Sequence, residues 1–254
     1  QTILFDPESL DIINRSPSIR RRFIDRFLAG YDKEYLVNLS RYNKTISNRN
    51  KILSLIKERK SGLNELVFWD INLAEIGVKV LKRRLELFTS IAQILPISQQ
   101  KVMKEKFDLG INYHSKVVNA LDESEESLLI NFNKTIEEAK EKDLALGQTT
   151  VGPHRDDFSL EINSKDTRNY ASRGQQRIAI VALLFCLSEI VFENIGMHPT
   201  LLLDDVLSEL DIEHSKKVLE ALEQIENQVI ITATDTAKIG NALLSNYNHI
   251  ELIS

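Results

Sequence analysis

Apolar and polar positions follow two rhythms along this chain, and the change between them falls near Gly147. From Asp32 to Lys60 the residues Tyr35, Leu36, Leu39, Tyr42, Ile46, Ile52, Leu55 and Ile56 recur at helical spacing, and Gly62 breaks the pattern. A second helical pattern runs from Leu63 to Leu95 and is predicted to stop at Pro96, whose ring cannot continue the backbone ladder. Its apolar register is one-sided, so the two patterns predict a helical hairpin or small bundle. Ahead of them, "TILF" reads as a short strand, and Ser18 is placed to cap a helix over "IRRRFIDRFLAG" that Gly30 closes. Lys106 to Tyr113 alternates like a strand, and Ser124 to Leu146 is helical again, with "SEES" as a capping box.

Beyond Gly147 the predicted order is a strand over Asp157–Ile162, a turn over Asn163–Asp166 and a short return strand ending at Tyr170. There follow a helix over 174–193, a strand over 200–205, a helix over 212–226 and a strand over 228–234. Strands alternating with helices imply a parallel sheet with a right-handed crossover. The all-apolar Leu201–Leu203 suits a strand buried on both faces. The expected fold class is therefore α/β, with a parallel-sheet core and an inserted α-helical arm. Residues 1–31 and 147–254 are expected to form the head and 32–146 the mainly helical arm. No internal repeat or low-complexity linker interrupts the chain.

Composition narrows the possibilities. In 254 residues, 43% apolar content is ample for a core. The one cysteine, Cys186, excludes an internal disulfide and any metal site resting on cysteines, which fits a reducing cytoplasm. It lies in the longest apolar run, Ile178 to Leu187, which is too short to span a bilayer and reads as a buried helix; no membrane partner is expected. Net charge is −5, yet it is unevenly spread: residues 1–150 carry +3 and residues 151–254 carry −8. The basic excess could meet phosphate.

Chemistry concentrates near the C-terminal end. "LLLDD" delivers Asp204 and Asp205 to the C-terminal end of a strand, where open α/β sheets bind ligands. Such a pair suits a magnesium-nucleotide site, with one carboxylate on a hydrated Mg²⁺ and the other on the attacking water; a turn or an N-cap is the plainer account. "SRGQQR" opens a helix, so the Ser172 hydroxyl and the backbone amides near Gly174 form a potential anion site, or simply a Ser-capped helix. Arg15, Arg20, Arg21, Arg22 and Arg26 crowd one short stretch with only Asp25 against them. They read either as a solvated, internally paired helix or as contacts to DNA or nucleotide phosphate or to a partner, with Arg20, Arg21 and Arg22 the candidates for phosphate. In "VGPHRDD", Gly152-Pro153 is a tight turn; His154, Arg155, Asp156 and Asp157 are spaced too closely for a closed metal site. None of the nine glycines is followed by Lys, so no phosphate-cradling glycine loop of the GxxxxGK type is present in the sequence.

Read together, these blocks resemble the second half of an ABC-type ATPase head. "SRGQQ" is similar to the signature loop, "LLLDD" to the Walker B strand and "SELD" (Ser208 to Asp211) to the D-loop. "PESLDIINRSPSIRRRFID" and "TTVGPHRDDFSLEIN" resemble the other characteristic blocks of the RecF family, the bacterial recombination-repair ATPases. The resemblance covers nearly the whole chain, most weakly over residues 60–145. It implies a P-loop upstream of Gln1. It further implies ATP and Mg²⁺ as cofactors, Asp204 on the Mg²⁺ side and Asp205 activating water. Ser172, Gly174, Gln175, Gln176, Ser208 and Asp211 would contact nucleotide, with Thr232 or Thr234 in the place of a γ-phosphate switch residue. Asp replaces the Glu that many ABC ATPases carry at position 205, and the switch residue is not His. An ATP-driven homodimer clamping duplex DNA near single-strand gaps, a RecR partner, RecA loading, slow DNA-dependent hydrolysis and a cytoplasmic place in DNA replication, repair and the SOS response complete the implication. This chain alone is expected to be inactive. A long-armed SMC head fits less well, since heptads are not sustained and no CxxC is present. A non-catalytic DNA-binding or dimerisation module stays open.

Overall fold

The computed structural model describes residues 2–102, 107–207 and 210–233. In chain order these form β1 (Thr2–Phe5), a 3-10 turn (Pro7–Leu10), α1 (Asp11–Asn14), α2 (Pro17–Tyr31), α3 (Lys33–Lys57), α4 (Asn64–Val102) and β2 (Leu109–His114). Next come α5 (Glu125–Leu146), β3 (Asp157–Ile162), β4 (Lys165–Asp166), α6 (Thr167–Tyr170), α7 (Arg173–Ile195), β5 (Thr200–Asp204), α8 (Ile212–Glu223) and β6 (Val229–Thr232). One sheet has the order β1-β5-β6, all parallel; the other has the order β2-β3-β4. The α/β class and the parallel core are as expected. The last predicted strand, 228–234, reaches past Ala233 to Thr234, which lies outside the described residues.

The chain divides into two compact units. One comprises residues 1–14, 91–111 and 160–254, the other residues 15–90 and 112–159. This revises the expected head-and-arm boundaries. Residues 15–31 and 147–159 belong with the helices, because α2 packs on α3 and Arg20 clamps Asp157 with bonds of 2.6 and 2.8 Å. Residues 91–111 belong with the sheet unit, where the Cys186 thiol bonds the Ile91 carbonyl at 3.9 Å and Lys101 pairs with Glu189 at 3.3 Å.

In the sheet unit, Thr2–Phe5 runs beside Thr200–Leu203, and Leu201–Asp204 beside Val229–Thr232. Strand alternation turns Ile3, Phe5, Leu201 and Leu203 inward. Helix α7 is apolar almost all round and is buried from Gln176 through Ser188, as a central helix must be. By length and composition it could cross a membrane, which corrects the inference from its apolar run alone; 72% of its most apolar window is nevertheless buried inside the protein. Burial also pushes the Cys186 thiol up, which keeps it protonated and inert. The expectation that Leu201–Leu203 is buried on both faces is revised. Leu4, Leu202 and Ile230 are in register across the sheet, and Leu4 and Ile230 are each 50% exposed. On the other face Ile3, Phe5, Leu201 and Leu203 are buried, while Val229 and Ile231 of β6 are half-buried.

Three local expectations also change. Helix α4 runs through Pro96 to Val102, because buried Leu95, Ser98 and Val102 hold its last turns and the Gln99 side chain bonds Phe107 and Leu109 across the connection. The burial offsets the roughly 3 kcal/mol cost of an internal proline. Helix α2 has Ser16, not Ser18, at its N-cap position, with no side-chain capping bond and Pro17 at its first position, and it runs past Gly30 to Tyr31. The return strand after β3 is only Lys165–Asp166, and Thr167–Tyr170 is helical. The hairpin turn between them uses Asn163 and Ser164 at φ 50° and 61°, the twist that a two-residue loop requires.

The helical unit is held by buried ion pairs. The Arg49 side chain donates to Asp70 at 2.7 Å, to Asp143 at 2.6 Å and to the Thr149 hydroxyl at 2.9 Å. The other Asp143 oxygen accepts both the amide and the hydroxyl of Thr150, at 2.9 and 2.7 Å. One arginine therefore ties α3, α4, α5 and the segment after α5 together, with each carboxylate bonded by at least one donor.

Candidate functional site

Two aspartates, one threonine and the ends of two strands make the candidate site. Parallel pairing sets Asp204, the last residue of β5, beside Thr232, the last of β6. The Thr232 hydroxyl donates to the Asp204 carboxylate at 2.5 Å. At Asp205 the backbone turns into the left-handed region, φ 52°, a conformation that Asp tolerates better than most residues. Its amide donates to the Thr232 carbonyl at 3.2 Å and lies 3.1 Å from the Thr232 hydroxyl. Thr232 thus fixes both aspartates, one through its carboxylate and the other through its backbone. The Asp204 residue is exposed and Asp205 half-buried, and the apolar Val206 and Leu207 that follow are buried and anchor the turn from behind.

The other expected residues of this unit have structural partners of their own. Ser172 caps α7: its hydroxyl accepts the Gln175 amide at 3.2 Å, while the Gln175 side chain accepts the Ser172 amide at 2.9 Å. That reciprocal box leaves Ser172, Arg173 and Gly174 exposed at the helix N-terminus, where backbone dipoles favour an anion. Gln176 is buried; it donates to the Thr167 carbonyl at 3.1 Å and accepts from Asn14 at 3.0 Å, so its side chain braces the loop from inside. Asp211 caps α8 by accepting the His214 amide at 2.9 Å, and its other oxygen lies 2.6 Å from His214 Nδ1. The His214 amide, more than the ring, holds the Asp211 carboxyl below its usual range. Ser208 and Thr234 lie outside the described residues.

The arginines separate. Arg20 is 1% exposed and spends its guanidinium on Asp157 and the Arg15 carbonyl, which corrects the phosphate-contact expectation for this residue. Arg21 is half-buried and donates to the Asp156 carbonyl at 2.7 Å; burial, then Arg84 nearby, lowers its pKa. Arg22 is exposed.

The Gly152–Asp157 turn is a structural junction of the helical unit. The Tyr42 hydroxyl lies 2.9 Å from His154 Nδ1, and His154 Nε2 lies 3.2 Å from the Thr149 carbonyl. A carbonyl can only accept, so Nε2 carries a proton, and above the lowered pKa the ring is neutral and Nδ1 accepts from Tyr42. Burial accordingly lowers the His154 pKa to about 4. Asp156 accepts from the Tyr113 hydroxyl at 2.7 Å, and burial raises its pKa to about 6. Sequence reasoning missed Arg84, which is 2% exposed and donates to Asp25 at 2.6 Å and to the Pro153 carbonyl at 2.7 Å. The available signal was its place among the apolar residues Leu81, Leu85 and Phe88 on one face of α4.

Asp204 and Asp205 fit a hydrated Mg²⁺ bound to a nucleotide. They are hard oxygen donors at the C-terminal edge of a parallel sheet, and Mg²⁺ needs only one or two carboxylates beside water and phosphate. Among the described residues no group of three or more His, Cys, Asp or Glu could enclose a metal by itself.

No family model matches the chain. Individual relatives do. It is 39% identical over 232 residues to the DNA replication and repair protein RecF of Agathobacter rectalis, covering 91% of this chain and 61% of that protein. It is 35% identical over 254 residues to RecF of Clostridium perfringens strain SM101, covering 99% and 67%. Among solved structures, the recombination mediator protein RecF with ATP, of the RecFOR pathway, superposes with a TM-score of 0.82 at 34% identity, covering 93% of this chain and 62% of that one. The same protein solved as RecF-ATPrS gives 0.81 at 35% identity, with 92% and 62% covered. The chain thus spans about three fifths to two thirds of the length of the relatives it matches. Identity of this level over nearly the whole chain, with the parallel-sheet fold in common, decides the family: the chain belongs to the RecF proteins of DNA replication and repair.

Proposed function

We propose that this chain supplies the Walker B and signature side of an ATP-dependent DNA-binding protein of recombinational repair, working in the cytoplasm. The observation that carries this reading is the Asp204–Thr232–Asp205 arrangement at the end of β5 and β6. Bound Mg²⁺-ATP would bring a phosphoanhydride whose γ-phosphorus is open to water. Asp204 would hold the water shell of such a metal, and Asp205 would accept the proton of the attacking water. An aspartate is one methylene shorter than a glutamate, and this favours slow turnover.

Ser172, Gly174 and Gln175 present a helix N-terminus to the γ-phosphate bound by a second copy, so that ATP glues two subunits together. Ser208 and Asp211 flank that junction, and Thr232 reports the γ-phosphate to both aspartates. Gln176 supports the loop from below instead of touching nucleotide. No GxxxxGK loop is present in this sequence, and turnover of ATP requires a phosphate-cradling loop of that kind. Dimerisation then clamps duplex DNA near gap junctions, with RecR as partner and RecA loading downstream.

The deciding experiment uses the full-length protein with Asp205→Asn. ATP binding is retained, turnover is lost and ATP-bound dimers accumulate. Undiminished hydrolysis removes Asp205 from the reaction. Ser172→Arg, which crowds the γ-phosphate position, blocks ATP-dependent dimerisation while each monomer still binds nucleotide; normal dimers leave Ser172 as a helix cap only.

A further inference from the structure

The helical unit contains a cleft of about 380 Å³ between α2 and α3 that the nucleotide reading does not use. Its two walls differ in chemistry. On α2, Ser18, Arg22, Asp25, Arg26 and Ala29 fall on one helical face and line it. On α3, Leu36, Leu39 and Asn43 line the other side, with Leu36 50% exposed at the rim.

The floor is rigid. Arg84 is locked to Asp25 and the Pro153 carbonyl, and Tyr42 is locked to neutral His154. Asp25, the acidic residue among the described ones that line the cleft, pairs its charge with Arg84, and its Oδ1 also accepts from the Tyr35 hydroxyl, 2.5 Å away. Arg22 and Arg26 are exposed and make no ion pair among the described residues, so two arginine forks face the opening with no internal carboxylate to neutralise them.

We propose that this cleft docks an acidic, apolar-bearing peptide segment of a partner protein. The arginine forks take its carboxylates, and the leucine wall takes a neighbouring apolar side chain. Charge complementarity and the split character of the walls argue for this occupant. Guanidinium groups pair bidentately with carboxylates, and a recess of this size accepts one or two side chains. A DNA backbone presents charge at regular intervals and nothing apolar; it suits a continuous basic surface and leaves Leu36 and Leu39 without a partner. The proposal is independent of the ATP reading, since none of its residues belongs to the Asp204–Thr232 site.

The test is fluorescence polarisation of the full-length protein with a short fluorescein-labelled peptide alternating aspartate with leucine and phenylalanine. Two control peptides replace its aspartates by asparagine or its apolar residues by serine, and a DNA duplex serves as competitor. The amphipathic acidic peptide binds saturably, and either control binds about tenfold more weakly or worse. Arg22→Glu with Arg26→Glu abolishes peptide binding, and Leu36→Ser weakens it, while the circular dichroism spectrum is unchanged. These are surface positions, and the spectrum verifies folding. Peptide binding that survives the charge reversal, or that needs no apolar residue, overturns the proposal. So does a duplex that displaces the peptide and itself loses binding in the double variant, which reassigns the cleft to DNA phosphates.

Discussion

The Thr232 hydroxyl bonds the Asp204 carboxylate at 2.5 Å, although the two residues are 28 positions apart, because parallel register puts the ends of β5 and β6 side by side. The same hydroxyl is 3.1 Å from the Asp205 amide. Removing it therefore loosens both aspartates at once. Thr232→Val, nearly isosteric, should cost about 1 kcal/mol of stability and weaken Mg²⁺-dependent nucleotide binding in the full-length protein, whereas Thr232→Ser should restore both. Thermal melting and a nucleotide titration with and without Mg²⁺ check this. Wild-type nucleotide affinity in the valine variant would detach Thr232 from the site.

Arg20 and Arg22 sit two positions apart on α2 and should behave as opposites. Arg20→Met leaves the Asp157 carboxylate without its two-bond partner in a mostly buried setting and should lower unfolding free energy by about 3 kcal/mol. Arg22→Gln alters an exposed side chain and should stay within about 0.5 kcal/mol. Urea denaturation of the two variants reads the contrast directly. Equal, small effects would mean that the Arg20–Asp157 pair contributes nothing to folding.

Periodicity made most elements legible because it reports which face is buried: the spacing of Tyr35, Leu39 and Tyr42 is the geometry of a helix packed on one side. Long-range pairs were not legible. Nothing local distinguishes Arg20, clamped by a residue 137 positions away, from solvated Arg22. The same pair moves residues 15–31 into the helical unit. Pro96 was read as a stop because the local rule is steric; contacts made by Leu95, Ser98 and Gln99 override it. At the site, the Asp204–Asp205 pair was visible as a motif, while the roles of Gln176 as an internal brace and Asp211 as a helix cap needed coordinates.

Gly152 is held where no side chain fits. Its φ is +113°, and an added Cβ would lie 2.5 Å from the Tyr42 hydroxyl and 2.7 Å from the Phe132 ring. Gly77 on α4 meets the same ring from another side, with an added Cβ only 2.2 Å from it. Gly152→Ala should destabilise by about 2–3 kcal/mol, combining backbone strain with overpacking. Gly77→Ala involves packing alone, so a smaller residue at position 132 should rescue it: Phe132→Leu with Gly77→Ala should be more stable than the sum of the single changes predicts. The same cycle with Gly152→Ala should recover only part, because its positive φ remains. Full recovery there would assign the whole cost to packing.

His154 and Asp156 oppose one another over a single pH window. Burial takes His154 from 6.5 down to about 4, so between those values the unfolded chain holds a proton that the folded one does not. Its contribution is complete above 6.5 and is lost as pH falls. Burial takes Asp156 from 3.8 up to about 6, so there the folded chain holds the extra proton. Its contribution is complete below 3.8 and is lost as pH rises. The slopes have opposite sign, so these two groups together leave stability nearly flat between pH 4 and 6. Each variant should expose the other group. Asp156→Asn, which can still accept from Tyr113, should give urea midpoints that climb with pH across this range. His154→Gln should give midpoints that fall, with a loss of unfolding free energy of up to ~2 kcal/mol for the Asp156 shift. Profiles sloping the same way in both variants would show that neither group dominates the window.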